Sequence, residues 1–94
     1  MFRLWAKEWH EGHLIQEMTI EDPSEDTRTH KVLHALTAAC RAFDLAEPIW
    51  LDQNVRDFRQ RAKCRFTQDS FVEEIPFDYL EIEIVEEDPD FFLT

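Results

Sequence analysis

The chain has little glycine, little cysteine and no long apolar run, and each scarcity excludes a class of protein. The single glycine, Gly12, cannot supply the glycine-rich loops that hold phosphates in Walker and Rossmann sites. The two cysteines, Cys40 and Cys64, form no C-x-x-C pair, so we expect no disulfide framework and a reducing, cytoplasmic compartment. No apolar run approaches the roughly twenty residues needed to cross a bilayer, so we expect no membrane association.

Basic side chains are missing from the C-terminal part. Residues 1–66 carry 11 acidic and 10 basic side chains, whereas residues 67–94 carry 10 acidic ones and no base, so nearly all of the net charge of -11 lies in the second segment. Half of the bases cluster in ten positions: Arg56, Arg59, Arg61, Lys63 and Arg65. Either these two poles neutralise each other within the fold or one of them is exposed to a partner.

What is present suffices for one folded unit. Apolar residues make up 44% of the 94 residues and charged ones 33%, a composition typical of a compact globule with a highly charged surface. We expect one domain over residues 1–88 and a short acidic and aromatic tail over residues 89–94. The first residues, MFRLWAKEWHEGH, have no apolar h-region, so we expect no signal peptide.

Alternating apolar residues predict strands near both ends. Residues 2–9 and 13–21 alternate on either side of Gly12, which predicts a β-hairpin. Residues 77–87 alternate again, with one face predicted to be dry and the other to turn its glutamates toward water. The predicted dry residues are Leu80, Ile82 and Ile84, and the predicted wet ones are Tyr79, Glu81, Glu83 and Val85.

Helices are predicted between these strands. Residues 22–25 read DPSE, with an aspartate placed to cap, a proline at the first helical position and a glutamate that completes a capping box, so we predict a helix over residues 23–43. Asp52 is placed to cap a second helix over residues 53–63.

Shorter elements complete the expected fold. We predict an extended piece over residues 46–51, a brief strand over residues 64–66, and a helical turn over residues 70–75, where Ser70 and Glu73 form a capping box. The order predicts an α+β domain, with a small, mainly antiparallel sheet built from the N-terminal hairpin and the C-terminal strand and with two helices packed on one face.

Two stretches carry a likeness to known proteins. DTRTHK and RFTQDSFVEEIPFDYLEIEIVEED resemble segments of a set of short, acidic, cytosolic bacterial proteins of unknown function, and the likeness covers most of the chain up to about Asp88. The resemblance implies no activity and assigns no catalytic or binding residue. The last six residues, PDFFLT, lie outside it.

Two alternative functions follow from small constellations. His30 and His34 are spaced i, i+4, which allows two imidazoles to share a metal, so a metal-binding or hydrolytic protein is one alternative. Both histidines lie opposite the apolar stripe, and exposed histidines are the simpler interpretation. Single-stranded nucleic-acid binding is the other alternative, although the net charge disfavours it and a central strand is the simpler interpretation. Its residues would be Arg3, Trp5, Lys7 and Trp9.

No catalytic constellation stands out, and we predict no cofactor. Our function hypothesis is a non-enzymatic protein that contacts a protein partner, one with a basic surface, through its acidic C-terminal strand and tail. The candidate partner-binding residues are Glu81, Glu83, Glu86, Glu87, Asp88, Phe91 and Phe92, and the basic patch consists of Arg56, Arg59 and Lys63. Packing of the tail onto its own core, or onto a second copy in a homodimer, is the competing interpretation.

Overall fold

A computed structural model describes residues 1–87 of the chain, and the predicted boundary at residue 88 and the tail lie outside these residues. The elements are β1 (Phe2–His10), β2 (His13–Asp22), α1 (Arg28–Ala42), α2 (Asp52–Arg61), β3 (Lys63–Phe66) and β4 (Tyr79–Glu86). The strands form one antiparallel sheet in the order β2-β1-β4-β3, and the helices lie on one of its faces. The predicted α+β class is confirmed.

The N-terminal hairpin closes in a two-residue turn. His10 pairs with His13, and the two residues between them, Glu11 and Gly12, both have positive φ angles of 51° and 79°. Two consecutive positive φ angles define a type I′ turn, whose twist matches that of the flanking strands. The only glycine therefore lies at a position that favours it.

The strand register aligns apolar side chains in rows beneath the helices. Ala6 of β1 pairs with Ile82 of β4, which in turn pairs with Cys64 of β3, and all three are buried. From α1, Val32, Leu36, Ala39 and Cys40 close this core, and Phe58 closes it from α2. The prediction that Leu80 and Ile82 are dry is confirmed, and Ile84 is partly buried against the same core.

The two helices cover different strands. α1 packs on β1 and β2, whereas α2 packs on β3. Since β4 lies between β1 and β3 in the sheet, the helices stand apart and leave a cleft between them. No helix within residues 1–87 is long and apolar enough to span a membrane.

The first helix begins later than predicted. β2 continues to Asp22, and the carboxylate of Asp22 accepts a hydrogen bond from the Ser24 backbone N–H, 2.9 Å away, in a local turn. Thr27 is the true N-cap and accepts from the His30 N–H. The predicted start at residue 23 is wrong because Asp and Ser side chains satisfy the backbone locally without helix formation.

The predicted helical turn over residues 70–75 is also wrong. A 3-10 turn occupies Gln68–Ser70 instead, and the Gln68 side chain bonds the backbone of the next residues, donating to Glu73 O (2.8 Å) and accepting from Ile75 N (2.9 Å). Residues 46–51 form no strand, whereas the brief strand at residues 64–66 is found as β3. α2 ends at Arg61, two residues earlier than predicted.

Candidate functional site

The acidic strand β4 is held by basic residues of its own sheet. Glu81, predicted to face water, is only 5% exposed because the register places Lys7 of β1 and Arg65 of β3 on either side of it. Lys7 Nζ lies 3.0 Å from one carboxylate oxygen of Glu81, Arg65 Nε lies 3.2 Å from the other, and the Trp9 indole N–H donates across 3.2 Å. Burial raises the pKa of Glu81, but the hydrogen bonds from Lys7 and Arg65 outweigh it and hold that pKa below its usual value.

The other glutamates of β4 and the following Glu87 are also paired. Glu83 lies 3.1 Å from Lys7 Nζ, Glu86 lies near Arg3 and the N-terminal amine, and Glu87 lies 3.0 Å from Arg28 Nε. The basic patch is not involved, since Arg56, Arg59 and Lys63 make no ion pair within residues 1–87. Neutralisation therefore occurs within the fold, but through other bases than those of α2. Partner binding by these glutamates stays a prediction.

The tryptophans of β1 also bind acidic side chains of the neighbouring strands. The Trp5 indole N–H donates to Glu17 across 2.9 Å, and the Trp5 ring carries Lys7 Nζ at 3.8 Å from its centroid. β1 is an internal strand, as the simpler interpretation predicted, and Lys7 is buried with its amine over the Trp5 ring. Since acidic side chains hold the two indole N–H groups and Lys7, this geometry does not favour nucleic acid on this face.

The two histidines lie on the exposed side of α1. The rings of His30 and His34 stack with centroids 6.1 Å apart, and His30 Nδ1 lies 2.9 Å from Asp26 Oδ1. Among residues 1–87 no cluster of three or more His, Cys, Asp or Glu side chains is placed to hold a metal. His10 lies beside Asp78 at the hairpin end of the sheet, 3.3 Å away. The metal alternative stays a prediction without a third ligand in the described residues.

Both cysteines are buried free thiols. Burial raises the pKa of each thiol to about 12, so neither is a nucleophile near neutral pH. Cys64 lies between Lys63 and Arg65 in the sequence, yet their charges do not offset its burial against the core.

The cleft between the helices forms the candidate site, which we call the α1–α2 groove. It has a volume of about 300 Å³ and is lined by Arg28, Thr29, Val32, Leu33, Trp50, Val55, Phe58 and Arg59. Buried Val32 and Phe58 supply its floor, and Trp50 packs edge-on against Phe58 and Phe66. Leu33 stands on the α1 wall with 42% of its surface exposed. An apolar floor with a few polar groups at the rim is typical of a binding site.

Arginines form the rim of the groove. The Arg28 guanidinium lies over the Phe58 ring, 5.6 Å from its centroid, and so reaches from α1 across to α2. Arg59 stands on the opposite wall, exposed and without an ion pair among residues 1–87. A second pocket of about 490 Å³, lined by residues of α2, shares Val55 and Arg59 with the groove and adds Arg56. The site therefore favours a ligand with apolar groups beside negative charge.

Of the predicted site residues within 1–87, only Arg59 lines this groove, and Arg56 lies next to it. Leu33, Trp50 and Val55 also line the groove and were not predicted as site residues, although the sequence contains one indication of a gap between the helices. Leu33 lies at the edge of the α1 apolar stripe, and α2 has a thin stripe, so the two helices lack the apolar width for full contact. Asp88, Phe91 and Phe92 lie outside the described residues.

Comparison of the chain with protein-family models, with curated proteins and with solved structures gave no match. The likeness to acidic bacterial proteins therefore stays a prediction.

Proposed function

We propose that this protein is a non-enzymatic interaction module that holds an acidic, phenylalanine-containing segment of a protein partner in the α1–α2 groove. Apolar side chains of the segment contact Val32, Leu33 and Phe58, and its carboxylates face Arg28 and Arg59. This keeps the predicted class, protein–protein contact, but assigns the recognition to the helical face of the sheet.

The observation that carries the proposal is the position of Arg28 and Arg59 around an apolar floor. The Arg28 guanidinium lies 5.6 Å from the Phe58 centroid and uses its Nε for Glu87, and Arg59 has no ion pair in residues 1–87. A guanidinium beside an exposed apolar surface binds carboxylates while the apolar surface binds neighbouring side chains. Arg is also enriched among the residues that dominate binding energy at protein interfaces.

The acidic strand is a weaker candidate for the same role. Glu81 and Glu83 share Lys7 within 3.1 Å, and Glu81 is almost fully buried, so a partner would have to break ion pairs to reach them. A reducing cytoplasm remains the proposed compartment, because both thiols are free and buried.

The test is binding of a peptide of the stated chemistry. A fluorescein-labelled synthetic copy of residues 87–94, which contains three acidic residues and two phenylalanines, is titrated with the protein and followed by fluorescence polarisation. We expect a dissociation constant on the order of 100 µM, since the site is small and open. A copy with both phenylalanines replaced by alanine should bind at least about tenfold more weakly, because each loses a buried side chain.

Variants of the protein locate the binding. Leu33→Glu and Arg59→Ala should weaken binding several-fold, because the first places a carboxylate on the apolar wall and the second removes a rim charge. The matched controls are Val72→Glu, at a side chain that is 90% exposed, and Arg41→Ala, at an exposed arginine of α1 that does not line the groove. Equal effects of the groove and control variants would contradict the proposal.

A further inference from the structure

We infer that the outer edge of β2 binds an extended, basic segment of a protein partner, which adds to the sheet as a fifth strand. This edge is separate from the α1–α2 groove, since no residue of β2 lines the groove, and it recognises its partner independently of the proposed function. Three observations carry the inference: the outward backbone groups of β2, the lack of the usual edge protection, and the charge along the edge.

Every second residue in the regular part of β2 directs its backbone groups away from the sheet. β2 lies at one end of the strand order and, within residues 1–87, pairs only with β1. The Trp9 carbonyl accepts from the Asp78 N–H just before β4, so the odd-numbered residues of β1 direct their backbone groups toward β4. The β2 residues that pair with odd-numbered residues of β1 therefore direct theirs outward, where they form a template for another strand. These residues are Glu17, Thr19 and Glu21.

The opposite edge of the sheet is protected, whereas β2 is not. β3 is only four residues long, and the Asn54 side chain of α2 donates to the Arg65 carbonyl across 2.8 Å, so this backbone group is already bonded. β2 is ten residues long, and its register shift lies near the hairpin, opposite Glu8 and Trp9. Residues 16–22 contain no lysine and no proline, the residues that often block an exposed edge. The edge of β2 is therefore long, regular and open to a strand.

The charge of this edge favours a basic strand. Between β1 and α1 the chain contains six acidic side chains and no lysine or arginine. Glu17 accepts from the Trp5 indole N–H across 2.9 Å, and this neutral donor leaves the carboxylate charge uncompensated. Glu21 lies 2.9 Å from Arg3 Nε, but Arg3 is shared with Glu86. Lysine or arginine side chains opposite Glu17 and Glu21 are therefore favourable.

The two faces of β2 predict the sequence pattern of the bound segment. Met18 and Ile20 pack against the core on the face that carries the helices, so the residues opposite them should be apolar. Glu17 and Glu21 pair with Lys7 and Arg3 on the other face, so the residues opposite them should be basic. Because side chains alternate between the faces of a strand, the segment should read basic, apolar, polar, apolar, basic.

A second copy of this chain is disfavoured at the same edge. Pairing of two β2 strands would bring Glu17 and Glu21 of one copy against the same acidic edge of the other. Each copy also carries a net charge of -11, so the two copies repel each other as they approach. A basic strand meets neither obstacle, and its approach is accelerated by the same charge.

The test is amide hydrogen exchange of the full chain with and without a basic peptide, followed in ¹H–¹⁵N spectra. The peptide, acetyl-Thr-Lys-Val-Thr-Val-Lys-Thr-amide, has the predicted pattern and reads the same in both directions, so it suits either strand orientation. At saturation we expect exchange of the Glu17, Thr19 and Glu21 amides to slow at least about fivefold, because each amide gains an acceptor. The Met18 and Ile20 amides, which already bond β1, should change little.

Variants separate the backbone contact from the charge. Thr19→Pro removes an outward N–H without removing a bond to β1, so it should abolish the protection, and Thr19→Ala, which keeps the N–H, is the matched control. Glu17→Gln/Glu21→Gln should weaken binding about tenfold at low ionic strength, because both carboxylates are lost. A peptide with glutamate in place of lysine should bind the unsubstituted chain at least about tenfold more weakly.

Several outcomes would overturn the inference. Unchanged exchange at Glu17, Thr19 and Glu21 with the basic peptide is one, and equal protection by the lysine and glutamate peptides is another. Peptide-induced shifts at Leu33 and the Trp50 indole, with none in β2, would move the basic peptide to the groove. Protection of the edge that needs no peptide and grows with protein concentration would identify a second copy as the occupant. The groove variant Leu33→Glu should bind the basic peptide as tightly as the unsubstituted chain, so the two proposals fail separately.

Discussion

Lys7 Nζ and Glu81 Oε1 lie 3.0 Å apart on the sheet face that carries no helix, yet their side chains are only 6% and 7% exposed. The cover comes from neighbours on the same face. The Trp5 ring lies 3.8 Å from Lys7 Nζ, and the Trp9 indole N–H donates to Glu81. Two tryptophans therefore bury an ion pair where a second layer of helices would otherwise be needed.

Removal of one partner of this pair should be costly. We expect Lys7→Met to lower the free energy of unfolding by about 2–4 kcal/mol, because it leaves Glu81 buried with one fewer cation. The double variant Lys7→Met/Glu81→Leu should recover most of this loss, since two apolar side chains can replace a buried ion pair. Urea denaturation of the two variants and of Glu81→Leu provides the double-mutant cycle.

The Arg3–Glu21 pair is the matched control. It is as short, at 2.9 Å, but its side chains are 46% and 53% exposed. Arg3→Gln should therefore cost less than about 1 kcal/mol. A cost for Lys7→Met as small as this would mean that water screens the Lys7–Glu81 pair, in contradiction to its burial.

Glu8 should make the free energy of unfolding fall as pH rises, which is opposite to the dependence expected of Glu81. Glu8 is buried on the core face of β1, its carboxylate accepts a hydrogen bond from Gln16, and burial raises its pKa. Below the unfolded-state pKa of about 4.3 the carboxyl is protonated in both states, so its burial does not lower the free energy of unfolding. That free energy falls as pH rises through the higher folded-state pKa. Glu8→Gln should therefore raise the free energy of unfolding at pH 7, and the gain should vanish below pH 4.

Glu81→Gln is the counterpart to Glu8→Gln. Because the folded pKa of Glu81 is lowered, its contribution is present above the unfolded pKa of about 4.3 and is lost as pH falls through the folded value. The cost of Glu81→Gln should thus be largest near pH 7 and shrink in acid. Thermal melts from pH 3 to pH 8 measure how the effect of each substitution on the melting temperature changes with pH. Changes of the same sign for Glu8→Gln and Glu81→Gln would contradict the opposite pKa shifts of the two carboxyls.

The strands were predictable because their apolar and polar residues alternate with a period of two. Leu80 and Ile82 lie in the core as their alternation indicated, and the hairpin follows from Gly12 between two alternating runs. The helix starts were less predictable because a capping residue and a turn residue are chemically the same. Asp22 is of a residue type that favours the N-cap position, yet its carboxylate accepts a hydrogen bond from the Ser24 N–H within a turn. The helix is capped instead by Thr27.

The site was less predictable than the fold because it depends on the spacing of elements. Nothing in the sequence of α1 or α2 states that one lies over β1 and β2 and the other over β3. The same limit explains Glu81. Alternation indicates correctly that its side chain leaves the core face, but only the register brings Lys7, Trp9 and Arg65 around it.

Asn54 joins three parts of the fold and should be hard to replace. Its side chain accepts from the Leu51 N–H (2.9 Å) at the start of α2, donates to Arg65 O (2.8 Å) in β3, and accepts from the Ser70 hydroxyl (3.3 Å). Asn54→Ala leaves these buried and part-buried groups without their partner, and we expect a loss of about 2–4 kcal/mol in the free energy of unfolding. Chemical denaturation checks this value.

The neighbouring Gln53→Ala is the control for Asn54→Ala. Gln53 is exposed, and its bonds within residues 1–87 are to Asp57 and Arg56 on the same helix, so its loss should stay within about 0.5 kcal/mol. Asn54→Asp keeps the acceptor and removes the donor to Arg65 O, so an intermediate loss is expected. Equal losses for Asn54→Ala and Gln53→Ala would show that the three bonds do not hold the elements together.

Ala62 ends α2 in a left-handed conformation and can be improved. Its φ is 57°, its N–H donates to Phe58 O, and its carbonyl accepts from the Ile84 N–H across 2.9 Å, so the conformation is fixed at both sides. Glycine adopts positive φ without the steric penalty of a Cβ atom, and Ala62→Gly should stabilise the protein by about 0.5–1 kcal/mol. Ala38→Gly, inside α1, is the control and should destabilise by about 1 kcal/mol. Melting temperatures that move in the same direction for both variants would exclude backbone strain at Ala62.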